Sequence, residues 1–230
     1  MEKIKNWFHN YWYYYKWYTV VLFAVLLIVI ICAVQCSTGV DYDLYMTYAS
    51  HSPIMNTLNP IRDAVKETLT EEQKETVQNI AIRDMIYINS EKAKEYLKND
   101  LFYSPQQNSD VVRTLQTELI AGDSYIYLLD KELFAIYEKS GVFAKLTDIF
   151  DKVPEIAYGE YGILFSQTEL YRSNACFQTW GDDVILCLKA EQSDSAIGTL
   201  RGREKQIRTY NLHKDVFIGM VNYIAPEETE

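Results

Sequence analysis

The chain has 230 residues, and its 22 Lys and Arg stand against 32 Asp and Glu, for a formal net charge of −10. That acidic balance excludes the basic footprint of a nucleic-acid binder. Three scattered histidines and no Cys-x-x-Cys give no metal-ligand spacing, and no Walker loop, dinucleotide fingerprint or Gly-x-Ser-x-Gly elbow is present.

The first element is the most sharply marked. Residues 11–17 read YWYYYKW: Tyr11, Trp12, Tyr13, Tyr14, Tyr15 and Trp17 are aromatic, and Lys16 is the exception. From Trp17 to Val40 no residue is charged. About 20 apolar residues in a helix cross the roughly 30 Å hydrocarbon core of a bilayer. Lipid forces such a segment to satisfy its own backbone hydrogen bonds, so Val and Ile do not prevent helix there. Tyr and Trp favour the membrane interface, where the ring is in an apolar layer and its OH or NH stays wet. The expected order is a short cytoplasmic N-terminus with an aromatic belt (1–16), a transmembrane signal-anchor (17–36) and a linker (37–42). A cleaved signal peptide fits less well, because the apolar run is long and the small-residue pattern near CAVQC is poor. Lipidation is disfavoured because Gln35 precedes Cys36 and Ile31 precedes Cys32. Lys3, Lys5 and Lys16 before the span, and no Lys or Arg after it until Arg62, put the N-terminus in the cytoplasm and the rest outside.

Residues 43–224 suit one extracytoplasmic α/β domain, followed by an acidic tail at 225–230. From residue 37 onward, 19 Lys and Arg face 31 Asp and Glu, which argues against that domain lying flat on anionic lipid. Strands are expected over 43–49, 78–88 and 124–129. Helices are expected from Pro60 (with Asn59 as cap), from a Ser90 cap to Asn99, from Ser109 to a stop at Gly122, and from an Asp130 cap to Gly141. Strands alternating with helices predict βαβ units and a mainly parallel sheet. Further strands are expected at 161–165 and 182–190, and a closing helix over 214–224. Cys176 and Cys187 are the candidate disulfide in an oxidising exterior, with a buried free thiol at Cys187 as the equal alternative.

Residues 115–150, LQTELIAGDSYIYLLDKELFAIYEKSGVFAKLTDIF, resemble a segment of the type 2 extracellular solute-binding proteins of ABC importers. Ala121, Gly122, Asp123, Asp130, Phe134, Gly141, Leu146 and Asp148 carry the likeness. It implies a lobe of that α/β fold. About 60 residues after the first lobe leave no room for the second, so the resemblance implies a single membrane-tethered lobe.

The carboxyl ends of α/β strands are where ligands sit. Ser50, His51, Ser52, Asp123, Ser124 and Asp130 form the candidate ligand site, expected at one sheet edge. A Ser–His pair one residue apart lacks a third orienting group, so no catalytic residue is assigned. Asp41 and Asp43 read as solvated, and the basic group Arg201, Arg203, Lys205 and Arg208 as a solvated loop able to meet lipid phosphate or an acidic partner. The expectation is a non-enzymatic, cofactor-free, single-pass module that contacts a membrane or envelope protein. The alternative is a tethered small-ligand sensor whose second lobe another chain supplies.

Overall fold

The structure, a computed structural model, describes residues 2–37, 42–99, 101, 103–191 and 200–226. It divides into two units, residues 1–41 and 42–230. Most of the expected linker and tail (38–41 and 227–230) lies outside the described residues.

The first unit is one helix, α1 (Glu2–Ser37). Its stretch Tyr11–Ala33 is long and apolar enough to cross a membrane, and none of it is buried. The aromatic run is continuous with the apolar helix. Tyr11 and Tyr15, one turn apart, stack at 5.4 Å, and the Thr19 hydroxyl donates to the Tyr15 carbonyl at 3.0 Å.

The second unit is built on a six-stranded sheet of order β2-β1-β3-β6-β5-β4. Its strands are β1 (Leu44–Ser50), β2 (Ile80–Ile86), β3 (Ile126–Asp130), β4 (Ala157–Tyr158), β5 (Gly162–Leu164) and β6 (Val184–Leu188). β1 lies between β2 and β3 and is parallel to both. The β3–β6, β6–β5 and β5–β4 pairs are antiparallel. The expected mainly parallel sheet is therefore corrected to a mixed one. A parallel return needs a long crossover, usually a helix. Between α6 (Lys131–Tyr137) and β6 the chain has the short strands β4 and β5 and only brief helices, including α7 (Leu146–Ile149) and α8 (Glu169–Ser173), none long enough to span the sheet as a crossover.

Both faces of the sheet are covered. Alternation along β1 sends Leu44, Met46 and Tyr48 into one cluster, with Ile61, Ala64 and Val65 of α2 (Leu58–Glu67) and Val216, Phe217 and Met220 of α9 (Leu200–Val221). Ala49 faces the other cluster, with Leu115 and Leu119 of α5 (Pro105–Ala121) and Leu133 and Phe134 of α6. Burying an aliphatic side chain of this kind contributes about 1.5–3 kcal/mol.

Several element limits differ from expectation. A 3-10 turn at Met55–Thr57 precedes α2, whose N-cap is Thr57. Pro60 thus falls third in the helix, still inside the first turn where no N–H is needed. The short helix α3 (Glu71–Thr76) is an addition to the expected elements; Thr70 and Gln73 cap it reciprocally. Asn89, not Ser90, caps α4 (Ser90–Lys98). α5 starts at Pro105 rather than Ser109, and α9 starts 14 residues ahead of the expected 214. Asp130 does cap α6, and Gly141 comes after its 3-10 extension with φ 75°, a conformation glycine adopts without strain.

Candidate functional site

The connection from β1 runs through α2 on one face of the sheet, and the connection from β2 to β3 runs through α5 on the other. Such a reversal opens a crevice at the carboxyl ends of the two central strands, here β1 and β3. Four of the six expected site residues stand there. Asp130 ends β3 beside Ser50 at the end of β1, because Ala49 pairs with Leu129. His51 and Ser52 come directly after Ser50.

The crevice is filled by the protein's own side chains. The Asp130 carboxylate accepts from the Glu132 backbone N–H at 2.9 Å and from Asn89 Nδ2 at 2.8 Å. Asn89 Oδ1 in turn accepts from the Lys92 N–H at 2.9 Å. The Glu132 carboxylate accepts from the Ser90 N–H and, at 3.1 Å, from its hydroxyl. The starts of α4 and α6 thereby cap themselves and each other. Their orphan N–H groups and positive dipole ends, which in an α/β crevice would receive an anionic ligand, already hold carboxylates. Burial pushes the Asp130 carboxyl above the ordinary carboxylate range, against the opposing pull of the Glu132 N–H and Asn89 bonds.

Ser50 is buried, and its hydroxyl lies 3.3 Å from His51 Nδ1. Partial burial, reinforced by the Lys92 charge, lowers the His51 pKa. No carboxylate hydrogen-bonds to the His51 ring among the described residues, so the pair lacks the orienter a nucleophilic triad needs. Ser52 donates to the Thr179 carbonyl at 2.5 Å. A Cβ on Gly181, which has φ 77°, would come within 3.1 Å of the His51 ring.

Three polar atoms that sequence reasoning did not single out gather behind this edge. Tyr48 Oη, Asp84 Oδ1 and Trp180 Nε1 are buried without a hydrogen-bond partner. Tyr48 and Asp84 are register partners on β1 and β2, and the Tyr48 and Trp180 rings lie 4.4 Å apart. Burial raises the Asp84 pKa, the Ile54 N–H bond opposing it. The one signal in the sequence is Asp84 breaking the alternation of Ile80, Ile82, Ile86 and Ile88.

Asp123 and Ser124 are not part of this edge, which corrects the expectation of a single cluster. They precede β3 and therefore sit at the opposite end of a parallel strand. Asp123 is exposed. Ser124 is buried in a structural knot: Thr47 donates to its hydroxyl at 2.9 Å, and Tyr127 donates to its carbonyl at 3.0 Å. In the same knot Glu118 pairs with Arg83, and Lys189, 4 % exposed, donates to the Gly122 carbonyl at 3.3 Å.

Cys176 and Cys187 are both free. Cys187 is in the α5–α6 cluster with its thiol toward the Tyr127 carbonyl at 3.7 Å, whereas Cys176 packs on the cluster across the sheet. The alternative of a buried thiol at Cys187 holds, and the candidate bridge is not formed. Asp43, expected to be solvated, accepts from the Gln78 and Asn79 N–H groups, both at 3.0 Å, and pins the start of β2 to that of β1. Among the described residues no group of His, Cys, Asp and Glu is placed to hold a metal ion.

Comparison with protein-family models, curated proteins and solved structures gives no match.

Proposed function

We propose that this protein is a single-pass, membrane-anchored module that acts through protein contacts in an envelope or transporter complex. In this reading Tyr11–Ala33 spans the bilayer, the N-terminus is cytoplasmic, and the domain from residue 43 onward is extracytoplasmic. In this reading that domain carries one lobe of a solute-binding-protein-like fold. The observation that carries the non-enzymatic reading is the crevice filled by Asn89, Asp130 and Glu132, where a ligand or substrate would otherwise sit. Cross-linking in intact cells, followed by detergent extraction of the full-length chain, should recover a defined membrane or envelope protein. A hydrolytic or transfer activity that disappears in His51→Ala would defeat this reading.

A second reading, a tethered small-ligand sensor, is favoured by Tyr48 Oη, Asp84 Oδ1 and Trp180 Nε1. A ligand that carries both donors and acceptors would satisfy these buried groups, whose desolvation otherwise costs about 1–3 kcal/mol each. It predicts a rise in Tm with a matching small molecule. Tyr48→Phe should abolish that rise, and a flat response to amino acids, sugars and peptides would count against the sensor.

A further inference from the structure

The sheet order leaves β2 and β4 at its two edges. β4 has two residues, whereas β2 has seven and contains neither proline nor lysine. A long edge strand of that kind presents unpaired N–H and C=O groups, a template for another strand. The odd-numbered residues bond to β1: just past the strand, the Tyr87 N–H donates to the Ser50 carbonyl at 2.9 Å. Backbone groups alternate in direction along a strand, so Ile80, Ile82, Asp84 and Ile86 turn theirs outward. Two side-chain bonds agree with this. Arg62 Nε donates to the Ile80 carbonyl at 2.9 Å, and Gln107 Nε2 to the Ile86 carbonyl at 3.4 Å. Between these caps, the N–H and C=O groups of Ile82 and Asp84 have no outward partner among the described residues. The charged side chains of β2 do not guard them. Arg83 turns to Glu118, and Asp84 Oδ2 accepts from the Ile54 N–H at 3.2 Å.

We propose that a second copy of this chain pairs with the outer edge of β2, antiparallel, about a two-fold axis through Ile82. The fit of the strand to itself selects this occupant and this register. A two-fold axis makes the paired strands antiparallel, and outward residues directly opposite each other exchange both hydrogen bonds. An axis through Arg83 would set that residue against its own copy, and one through Asp84 would oppose two carboxylates. Like charges directly opposite are destabilising. An axis through Ala81 would avoid this but would pair only residues 80–82. The axis through Ile82 pairs residues 80–84 and sets Ile82 against Ile82, Arg83 against Ala81, and Asp84 against Ile80.

Charge complementarity supports the same register. Ile80 and Ile82 lie on the α2 face of the sheet, and Asp84 shares that face because it is the register partner of Tyr48. Arg62, on α2, already stands at the Ile80 carbonyl of its own chain. Opposing Ile80 to Asp84 therefore brings Arg62 of each copy beside Asp84 of the other. A guanidinium has N–H donors beyond the bonds that Arg62 makes to Ile80 and to Asn59 Oδ1. The interface thus has an apolar pair at its centre and a cation–anion pair at each end. It is independent of the anchored reading above.

The test uses the full-length chain in detergent, with its mass read by sedimentation over a concentration series. The expected result is a dimer that dissociates on dilution. Ile82→Glu and Ile82→Lys each put like charges at the axis, and each should weaken the dimer roughly tenfold. An equimolar mixture of the two variants should recover a mixed dimer, because opposite charges then face each other; a folding defect would not be rescued by mixing. Ile82→Cys gives a second readout. Directly opposite outward residues stand about 5.5 Å apart between Cα atoms, within the span of a disulfide. Oxidation should therefore join two copies through residue 82, as located by peptide mapping. A monomer at every concentration overturns the proposal. A dimer that ignores Ile82→Glu and Ile82→Lys and is not joined by Ile82→Cys uses another surface and overturns it as well.

Discussion

His213 is fully buried on α9 and holds two backbone partners. It accepts from the Tyr45 N–H through Nε2 and donates to the Thr209 carbonyl through Nδ1 at 2.7 Å. These bonds fix one neutral tautomer, and burial lowers the pKa to about 4. The unfolded chain, with a histidine pKa near 6.5, takes up this proton first as pH falls. The stabilisation is thus complete above about 6.5 and is lost progressively down to about 4, by about 3 kcal/mol over that interval. Protonation would also set an N–H of the ring against the Tyr45 N–H. Denaturant unfolding of wild type and His213→Gln across this range should show the loss in the wild type and a flatter profile in the variant. Taking the difference removes the opposite contributions of Asp84 and Asp130, whose raised values favour the fold at low pH. Asp130→Asn gives a second test at this scale. It keeps an acceptor for the Glu132 N–H but turns an amide toward the Asn89 amide, which cannot flip because its oxygen caps Lys92. A loss of about 2 kcal/mol is expected from unfolding midpoints, although the change is isosteric.

At the level of elements, α9 meets the end of α2 through Gly219, where a Cβ would lie 2.6 Å from the Thr68 carbonyl oxygen. Replacing a helical glycine by alanine ordinarily stabilises by about 1 kcal/mol. Here Gly219→Ala should instead destabilise by about 1–3 kcal/mol, and thermal unfolding will show which sign holds. Such a contact between distant elements leaves no mark in the sequence, whereas chemistry local to the chain does. β1 and β3 are compact apolar runs, and Asp130 and Gly141 bracket α6 by cap chemistry. The first half of α9 has no such mark, because Arg203, Glu204, Lys205 and Arg208 present no apolar stripe and the helix continues from a packed second half. Strand direction is equally hidden, since β6 owes its antiparallel course to which end of the sheet the chain reaches after α8. For the site, Ser50, His51 and Asp130 are legible as strand ends. Asp123 and Ser124 are misplaced from sequence because a residue before a parallel strand and one after it stand a strand length apart.

The unit from residue 42 onward draws its stability from packing on two faces of one sheet, without a covalent cross-link between Cys176 and Cys187. Tm should therefore be the same with and without reductant, and Cys176, half-buried, should be alkylated faster than Cys187. Burial pushes the Cys187 thiol well up, so that its thiolate is scarce. A reductant-dependent drop in Tm would show that the two sulfurs had bridged.

Among the described residues β6 is the last strand, yet it stands inside the sheet, between β3 and β5. Until residues 184–188 have been made, β3 keeps an open edge, and β4 and β5 have no route into the sheet. The hydrophobic centre therefore closes only once β6 has been made, through contacts far apart in sequence, which makes folding slow and exposes strand edges meanwhile. Nascent chains ending before residue 184 should remain protease-sensitive.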